Sequence, residues 1–447
     1  MMSVILIIAG FDPCGGAGLQ ADLKTVTVLG GVGLTVVTAL TIQNTQGVKE
    51  SIPIDKENLK KQIDVLCEDF KINAVKIGML PNEEIVKITS EELKRFSLKN
   101  LVIDPVIKAK NKFLLNQAVK VMLNCLFPLA DLITPNIDEV GYILGKKPLN
   151  VSEMKEAALK LKEFGPKAVL ITGGELSPAI DVLYDGHNFY VWETTKKQNM
   201  SVHGTGCVFS SAIATFLSKG FSLLDAVIQA KKVITLAIDG ALALGKGSLL
   251  SHPFAYIEQE KARYEVIEAL KESLKQLQKI PLIAKVFPEV RMNFVYALPY
   301  ARSLMEVAGF PGRLTVINGK ICAFTAPTFG VSHHMANIVL KAMEFDKSYR
   351  AAINIKFSSE IVAKAKALRY KVEGVSRTEE PPELKEIEGV SLPWLVEKAI
   401  KKRGSVPDLI YDKGDWGKEP MIRILGKNPY EVVEKLSNIL KEVFKYG

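Results

Sequence analysis

A thiol and several small residues stand together where a helix is predicted to begin. The segment His203–Cys207 reads HGTGC, and the apolar pattern of Val208–Leu217 after it predicts a helix. The first turn of a helix presents unpaired N–H groups and the positive end of the helix dipole, which suit a phosphoryl group. The same position lowers the pKa of a thiol, so Cys207 is a candidate base or nucleophile. A small buried core cysteine is the equally good alternative.

Polar or glycine-rich segments also follow three predicted strands. Residues 9–18 read AGFDPCGGAG, Asp104 ends an apolar run, and residues 134–139 place Asn136 three positions before Glu139. Glycines let a backbone approach a ligand closely, and side-chain oxygens suit Mg²⁺. A plain strand-to-helix turn and a helix cap by Asn136 are the competing interpretations. Because ligands gather at the carboxyl ends of parallel strands, these segments together predict a phosphoryl-transfer site that has no Walker P-loop.

The second half contains a different set of candidate anion ligands. Arg313 follows Phe-Pro-Gly, His333 and His334 stand where a helix is predicted to begin, and Asn354 and Lys356 end a predicted strand. A guanidinium group binds phosphate with two hydrogen bonds, and a histidine at a helix start can donate to an anion. A surface turn and an exposed helix start are the alternatives. A two-histidine metal site is disfavoured, because adjacent helical residues point about 100° apart.

Apolar strands alternating with amphipathic helices must position the first group of residues. Six strands are predicted, at Ser3–Ala9, Leu34–Leu40, Ala74–Ile77, Leu101–Ile103, Leu132–Thr134 and Ala168–Thr172. The helices are predicted at Asn58–Phe70, Glu83–Phe96, Leu115–Leu126, Ser152–Phe164 and Leu223–Leu244. This alternation predicts an α/β domain of three layers with a mostly parallel sheet.

The chain is predicted to contain two such domains. The first covers residues 1–256, a charged and solvated helix at 257–280 connects the two, and a second α/β domain covers 281–447. In the second domain, a hairpin is predicted to turn at Asn318-Gly319.

Composition excludes several classes of protein. The 447 residues are 48% hydrophobic and 24% charged, which argues against disorder and a collagen-like repeat. No apolar run approaches the roughly 20 residues of a membrane span, so neither a targeting segment nor a membrane partner is expected. The five scattered cysteines contain no C-x-x-C pair, which predicts a reducing cytoplasm. The net charge of +9 suits anionic partners, either nucleic acid or phosphorylated small molecules.

The first domain resembles the hydroxymethylpyrimidine and phosphomethylpyrimidine kinases of thiamine biosynthesis, a branch of the ribokinase superfamily. The resemblance covers about residues 3–250 and rests on motifs that recur in the family order. These are the segments 9–25, 38–45 (TALTIQNT), 76–80 (KIGML), 104–106, 134–139 and 203–207. It implies that ATP phosphorylates the hydroxymethyl group of the pyrimidine and then phosphorylates that monophosphate again. It also implies a homo-oligomer, a dimer through this domain.

The resemblance also assigns roles to residues of this chain. Cys207 is implied to be the catalytic base or positioning group beside the substrate hydroxyl. The residues implied to bind the pyrimidine are Gly10, Asp22, Gln43 and Met79. The residues implied to bind ATP or the transferring phosphate are Asp104, Thr172, Gly204, Thr205 and Gly206. Mg²⁺ is implied to bind at Asn136 and Glu139.

One residue departs from the kinase pattern. The family usually has a lysine before its paired glycines, and here Thr172 precedes Gly173-Gly174. Thr172 can hydrogen-bond to a phosphate but supplies no charge. Lys196 or Lys197, just upstream of the HGTGC segment, is predicted to compensate.

The second domain resembles the thiamine-phosphate synthase domain that is fused to this kinase in archaea and some bacteria. The resemblance runs from about residue 265 to 445, and its best segments are 323–336, 350–357 and 417–426. It implies that the pyrimidine diphosphate condenses with thiazole phosphate to give thiamine monophosphate. Arg313 and His334 match positions expected to hold the phosphates. The pocket residues implied beside them are Asn354, Lys356, Lys418, Glu419 and Met421.

Three alternatives remain open from the sequence. The second domain occurs in regulators as a sensor of thiamine compounds, although no helix-turn-helix is visible here. The first domain could phosphorylate pyridoxal or another vitamin alcohol, which Gln43 and Met79 disfavour. Nucleic-acid binding is disfavoured because no basic stripe interleaved with aromatic residues is present.

Overall fold

The computed structural model describes residues 2–109, 112–113, 116–194, 201–385, 389–415 and 418–445. The chain divides into two compact units, Met1–Ile257 and Glu258–Gly447. No helix in the described ranges is long and apolar enough to cross a membrane.

The first unit is an α/β structure. Its strands are β1 (Val4–Phe11), β2 (Val32–Asn44), β3 (Gly47–Pro53), β4 (Ala74–Ile77), β5 (Leu101–Ile103), β6 (Lys108–Ala109), β7 (Lys112–Phe113), β8 (Leu132–Ile133), β9 (Val169–Gly173), β10 (Ala179–Tyr184), β11 (Phe189–Thr194), β12 (Val202–His203) and β13 (Leu249–Leu250). Its helices are α1 (Gly18–Val28), α2 (Lys56–Asp69), α3 (Glu83–Arg95), α4 (Asn116–Val121), α5 (Ile137–Leu144), α6 (Val151–Lys162), α7 (Thr205–Ser218) and α8 (Leu223–Asp239).

A nine-stranded sheet in the order β11-β10-β9-β8-β5-β4-β1-β2-β3 organises this unit. The strands from β9 to β2 are parallel, and β3, β10 and β11 add antiparallel edges. Along β1, Leu6 and Ile8 pack in one core, whereas Ile5 and Ile7 pack in another. Successive strand residues point to opposite faces, so the two cores lie on the two faces of the sheet. Helices α2, α3, α5 and α6 contribute to the first core and α1, α7 and α8 to the second, which confirms the predicted three layers.

The second unit has a mostly antiparallel sheet. Its strands are β14 (Phe294–Ala297), β15 (Val307–Gly309), β16 (Thr315–Ile317), β17 (Lys320–Cys322), β18 (Thr328–Phe329), β19 (Ala351–Lys356), β20 (Val372–Gly374), β21 (Leu409–Asp412) and β22 (Met421–Gly426). The remaining helices are α9 (Ala255–Leu277), α10 (His334–Phe345), α11 (Ser359–Ala367), α12 (Pro382–Lys385), α13 (Ser391–Arg403) and α14 (Pro429–Phe444). Seven strands form a sheet in the order β18-β15-β14-β19-β22-β21-β20. The hairpin of β16 and β17 turns at Asn318-Gly319 as predicted, and both turn residues have positive φ.

The structure corrects two predictions about helices. The helix predicted at residues 257–280 is not simply solvated, because α9 buries Ala262, Val266, Leu270 and Leu277 in the core of the second unit. These residues recur at helical spacing and form one apolar face. Helix α8 ends at Asp239, not at Leu244, with Gly240 as its C-terminal cap.

Candidate active sites

The start of α7 packs against the glycine-rich loop that follows β1. Gly204 is the N-cap residue with a φ of 81°, and a Cβ there would lie 1.8 Å from the carbonyl oxygen of Gly16. Only glycine fits this left-handed and crowded position. The helix begins at Thr205, three residues earlier than predicted, so Gly206 and Cys207 lie in its first turn. This turn can therefore present backbone N–H groups to an anion.

A buried carboxylate holds the glycine-rich loop in place. Asp12 is 1% exposed, and its Oδ2 accepts hydrogen bonds from the N–H groups of Gly16 at 3.1 Å and Ala17 at 2.8 Å. The Nε2 of His203 lies 3.3 Å from the same oxygen. Burial would raise the pKa of Asp12, but the contacts with His203, Cys14 and the backbone lower it to about 2. The glycine-rich loop and the segment before α7 are thus joined by polar contacts as well as by close packing.

The pKa of Cys207 differs from the expectation for a helix start. Burial raises the pKa of the thiol to about 12, and the carboxylates of Asp22 and Asp104 add to the increase although Lys76 opposes it. The favourable helix dipole is a local effect, whereas burial and nearby carboxylates depend on the whole fold. The raised pKa favours a neutral thiol at Cys207, and its role beside the substrate hydroxyl stays a prediction.

The Asp22 side chain is fully buried in the first unit. Its Oδ2 is 2.8 Å from the Nζ of Lys76, and its Oδ1 accepts a 2.8 Å hydrogen bond from Ser211. Neither Asp22 nor Lys76 is exposed. Burial would lower the pKa of Lys76, but the Asp22 carboxylate raises it above its usual value. Both oxygens of Asp22 are engaged, so the carboxylate braces the site, and its role in binding the pyrimidine stays a prediction.

Lys76 has a structural role that the sequence interpretation missed. A signal was present, because this lysine stands within the apolar strand β4 and charged residues are almost never fully buried unless they are paired. Its charge also acts on Cys207 and Asp104.

Asp104 lies against the start of α7. A Cβ on Gly206 would be 3.5 Å from its Oδ2, and the hydroxyl of Ser210 lies 3.4 Å from the same oxygen. Burial raises the pKa of Asp104 to about 6; Lys76 opposes the increase and Asp22 adds to it. The structure therefore brings Asp104 and Gly206 together, and their role in binding phosphate stays a prediction.

Asn136 and Glu139 form the cap of α5. The Oδ1 of Asn136 accepts from the N–H of Glu139 at 3.0 Å, and the Oε2 of Glu139 accepts from the N–H of Asn136 at 2.9 Å. The helix cap that competed with the metal-ligand interpretation is thus present, and it occupies the side-chain oxygen of Asn136. Burial raises the pKa of Glu139 well above its usual value, and Asp104 adds to the increase.

The carboxylates of Asp104 and Glu139 fit a divalent cation. Burial raises the pKa of both carboxyl groups, and the Asp104 carboxylate raises the pKa of Glu139 further. A bound cation would stabilise both ionised forms, and carboxylates are preferred ligands of Mg²⁺.

Thr172 lies next to the cap of α5. It forms an isolated parallel β-bridge with Asn136, and its N–H donates to the carbonyl of Pro135 at 2.9 Å. Across the sheet it pairs with Asp181, which forms an ion pair with Lys231. Lys196 and Lys197, predicted to compensate for the missing lysine, lie outside the described residues.

Three predicted pyrimidine-binding residues lie on β1, β2 and the segment after β4. Gly10 and Met79 are in contact, because a Cβ on Gly10 would lie 2.7 Å from the Cε of Met79. Gln43 is half-buried on β2, where the register with β3 shifts.

The second unit contains a cavity of about 390 Å³. Six of the seven residues predicted as its site line this cavity, namely Arg313, His334, Asn354, Lys418, Glu419 and Met421. Lys356 ends β19, is exposed and is not among the lining residues. Side chains alternate between the two faces of a strand, so Asn354 and Lys356 lie on the same face of β19. Lys356 is two residues further along the strand, at its end.

Hydrogen bonds fix the wall of this cavity. The Oδ1 of Asn354 accepts from the N–H of Asn293 at 2.6 Å. The carboxylate of Glu419 accepts from the N–H groups of Glu289 at 3.0 Å and Val290 at 3.2 Å. Arg313 has a φ of 67° in its turn and donates to the carbonyl of Val290. Asn354 and Glu419 therefore shape the cavity through the backbone of residues 289–293.

The sequence interpretation missed three cationic lining residues, Arg291, Arg377 and Arg423. Arg377 and Arg423 both line the cavity, and both are almost completely buried. Arg423 stands within the apolar strand β22, which is a detectable signal, but nothing near Arg377 marks it.

Two family comparisons agree with this division of sites. Residues 12–252 match the family described as Phosphomethylpyrimidine kinase. Residues 269–438 match the family described as Thiamine-phosphate synthase ThiN. The chain thus combines a phosphomethylpyrimidine kinase domain with a thiamine-phosphate synthase domain.

Similarity over nearly the whole chain identifies the family. The chain is 35% identical over 444 residues to the bifunctional thiamine biosynthesis protein ThiDN of Methanocaldococcus jannaschii, covering 98% of each chain. It therefore belongs to the family of bifunctional thiamine biosynthesis proteins of the ThiDN type. The first unit is also 41% identical over 248 residues to a hydroxymethylpyrimidine/phosphomethylpyrimidine kinase of Aquifex aeolicus, covering 55% of this chain and 97% of that one.

A solved structure shares the fold of the first unit. The ADP complex of Bacillus subtilis pyridoxal kinase has a TM-score of 0.54 and 34% identity, and it covers 57% of this chain and 99% of that chain. This similarity confirms the ribokinase-like fold that the sequence predicted.

Proposed function

We propose that the first unit uses ATP to phosphorylate 4-amino-5-hydroxymethyl-2-methylpyrimidine and then phosphorylates the resulting monophosphate. The observation that carries this proposal is the placement of the Asp104 carboxylate against Gly206 in the first turn of α7. A metal-binding carboxylate and an anion-binding helix start then face the same phosphoryl group.

The chain's own groups divide the work of this transfer. The N–H groups of the first turn of α7 receive the negative charge that develops on the phosphoryl oxygens. Asp104 and Glu139 would hold Mg²⁺, which neutralises charge on the phosphates of ATP. The neutral thiol of Cys207 donates a hydrogen bond that positions the substrate hydroxyl. The Lys76–Asp22 pair holds β4, α1 and α7 in register around these groups.

In the second unit, the pyrimidine diphosphate condenses with thiazole phosphate. The thiazole nitrogen forms a C–N bond to the methylene carbon, the C–O bond to the diphosphate breaks, and diphosphate leaves with the electron pair. The observation that carries this role is the set of lining cations, which includes Arg313. The enzyme must mainly bind the leaving group and align the nitrogen, and the pyrimidine ring itself stabilises developing positive charge.

The similarity to pyridoxal kinase gives a second candidate substrate for the first unit. The 41% identity of this unit to the hydroxymethylpyrimidine/phosphomethylpyrimidine kinase of Aquifex aeolicus favours the aminopyrimidine. The test compares kcat/KM for the hydroxymethylpyrimidine with kcat/KM for pyridoxal in the same enzyme. A higher value for pyridoxal would reject the proposed substrate.

Two further predictions accompany this function. The enzyme is expected to form a dimer through its first unit and to act in a reducing cytoplasm on small-molecule substrates. All five cysteines are free in the structure, and free thiols are typical of proteins in reducing compartments.

Separate variants test the assignment of the two activities. Asp104→Asn should impair phosphorylation of the pyrimidine and leave condensation of supplied pyrimidine diphosphate intact. Arg313→Ala and His334→Ala should impair only the condensation. Loss of both activities in any one of these variants would contradict the assignment of separate sites.

A further inference from the structure

Two buried arginines form part of the cavity wall beside Arg313 and His334. Arg377 is 6% exposed and Arg423 is 5% exposed, and both line the cavity. Arginine remains protonated in proteins, so both carry a charge in a region of low dielectric. Buried charges must be paired or bind a ligand, and the partners of these two residues decide what they can bind.

A single carboxylate serves both arginines. The Oδ2 of Asp412 accepts from the Nη1 of Arg423 at 2.6 Å and from the Nη2 of Arg377 at 3.4 Å. The Oδ1 of Asp412 is engaged by the N–H of Gly414 at 2.9 Å. Asp412 is therefore shared between two positive charges, and its contact with Arg377 is the longer one.

The carboxylate of Glu380 also lies near Arg377, but it forms no hydrogen bond with it. The Oε2 of Glu380 is 3.8 Å from the Nη1 of Arg377 and 3.5 Å from the Nζ of Lys418. Within the described ranges, both oxygens of Glu380 and the Nε of Arg377 are buried without a hydrogen-bond partner. Unsatisfied buried polar atoms are costly, so this group of charges is suited to rearranging around a bound anion.

The cavity wall as a whole carries an excess of positive charge. Five of its lining residues are arginine or lysine, namely Arg291, Arg313, Arg377, Lys418 and Arg423. Its acidic lining residue, Glu419, is engaged by two backbone N–H groups. This excess favours a ligand with several negative charges.

We propose that Arg377 and Arg423, with Lys418 beside them, form the subsite for the diphosphate of the pyrimidine substrate; this assignment rests on the proposed synthase function. The diphosphate carries more charge than the thiazole monophosphate and gains charge as the C–O bond breaks. The diphosphate is therefore stabilised most by the most deeply buried cations. Each of these is a guanidinium group, which can bind two oxygens at once. Arg313, which is half-buried, and His334, which is exposed, are left for the monophosphate.

The test uses the full chain with Arg377→Gln and Arg423→Gln, and with the matched variants Arg377→Lys and Arg423→Lys. The control is Arg369→Gln, since Arg369 is exposed and does not line the cavity. The readouts are KM for supplied pyrimidine diphosphate, inhibition by inorganic pyrophosphate, KM for thiazole phosphate and the thermal unfolding profile.

The glutamine variants should raise KM for the diphosphate and the inhibition constant of pyrophosphate by about tenfold to a hundredfold, the range for a charge-assisted hydrogen bond. KM for thiazole phosphate should stay unchanged. The lysine variants should recover part of the loss, because they keep the charge without the fork. Unchanged pyrophosphate inhibition, an equal weakening of both substrates, or loss of the folded second unit in glutamine and lysine variants alike would overturn the assignment. Absence of thiamine monophosphate from the unaltered enzyme would instead refute the synthase function.

Discussion

The Nζ of Lys76 lies 2.8 Å from the Oδ2 of Asp22, and both side chains are fully buried in the first unit. Lys76 comes from β4, Asp22 from α1, and Ser211 of α7 donates to the second oxygen of the carboxylate. The pair thus joins three elements that carry the kinase site.

Removing one partner of this pair should be strongly destabilising. Lys76→Met leaves the Asp22 carboxylate buried without its counter-charge, and a loss of about 3–5 kcal/mol in the free energy of unfolding is expected. The double variant Lys76→Met with Asp22→Leu should recover much of this loss, because no unpaired charge remains. Urea unfolding of the three proteins measures the effect. A double variant no more stable than the single one would show that the ion pair is not the cause.

Kinase activity should depend on the ionisation of Asp104. Burial raises its pKa to about 6, so the carboxyl is largely protonated below that pH and cannot bind a cation well. We expect kcat/KM of the kinase to rise as the pH increases through about 6, and the midpoint to move lower as Mg²⁺ is increased. In the Asp104→Asn variant, this rise of kcat/KM near pH 6 should be absent. Condensation of supplied pyrimidine diphosphate is the control. A pH dependence of kinase kcat/KM that is the same in Asp104→Asn and the unaltered enzyme would contradict the prediction.

Asp12 should contribute stability that is lost in acid. Its pKa is lowered from 3.8 to about 2, so the folded state favours the ionised form. The contribution is fully present above pH 4 and disappears as the pH falls through 2; at neutral pH it corresponds to about 2 kcal/mol. The measurement compares Tm of the first unit in the unaltered enzyme and Asp12→Asn across this range. A difference in Tm that does not shrink towards pH 2 would contradict the assignment.

Cys207 should act as a neutral hydrogen-bonding group. With a pKa of about 12, its thiol is protonated at neutral pH. Cys207→Ser keeps a donor and should retain kinase turnover within about tenfold, whereas loss of a true general base costs about 10²–10⁴-fold. Single-turnover phosphorylation of the hydroxymethylpyrimidine measures this. A loss in the larger range would instead support Cys207 as the base or nucleophile for which the sequence makes it a candidate.

Local patterns explain which parts of the kinase site could be predicted. The HGTGC segment and the strand ends depend on neighbouring residues, so their positions follow from the sequence. The surroundings of Asp22 do not, because its partners Lys76 and Ser211 are 54 and 189 residues away along the chain. The pKa of Cys207 was mispredicted for the same reason, since distant carboxylates and burial outweigh the local helix start.

The second unit shows the same limit. Residues around Arg313 and His334 could be recognised from their segments, but Arg377 enters the cavity through a short turn without a pattern of its own. In the first unit, the antiparallel strands β10 and β11 were also missed, although Asp185-Gly186 between them is a hairpin signal. Edge strands are less continuously apolar than central ones, which makes their pattern weaker.

The most direct test of the central proposal is a stoichiometry measurement on the unaltered full chain. The enzyme is supplied with ATP, Mg²⁺, hydroxymethylpyrimidine and thiazole phosphate, and all products are quantified. Two phosphorylations followed by one condensation predict two ADP and one pyrophosphate for each thiamine monophosphate formed. ADP formation without thiamine monophosphate would contradict the bifunctional account and favour a second unit that only binds thiamine compounds.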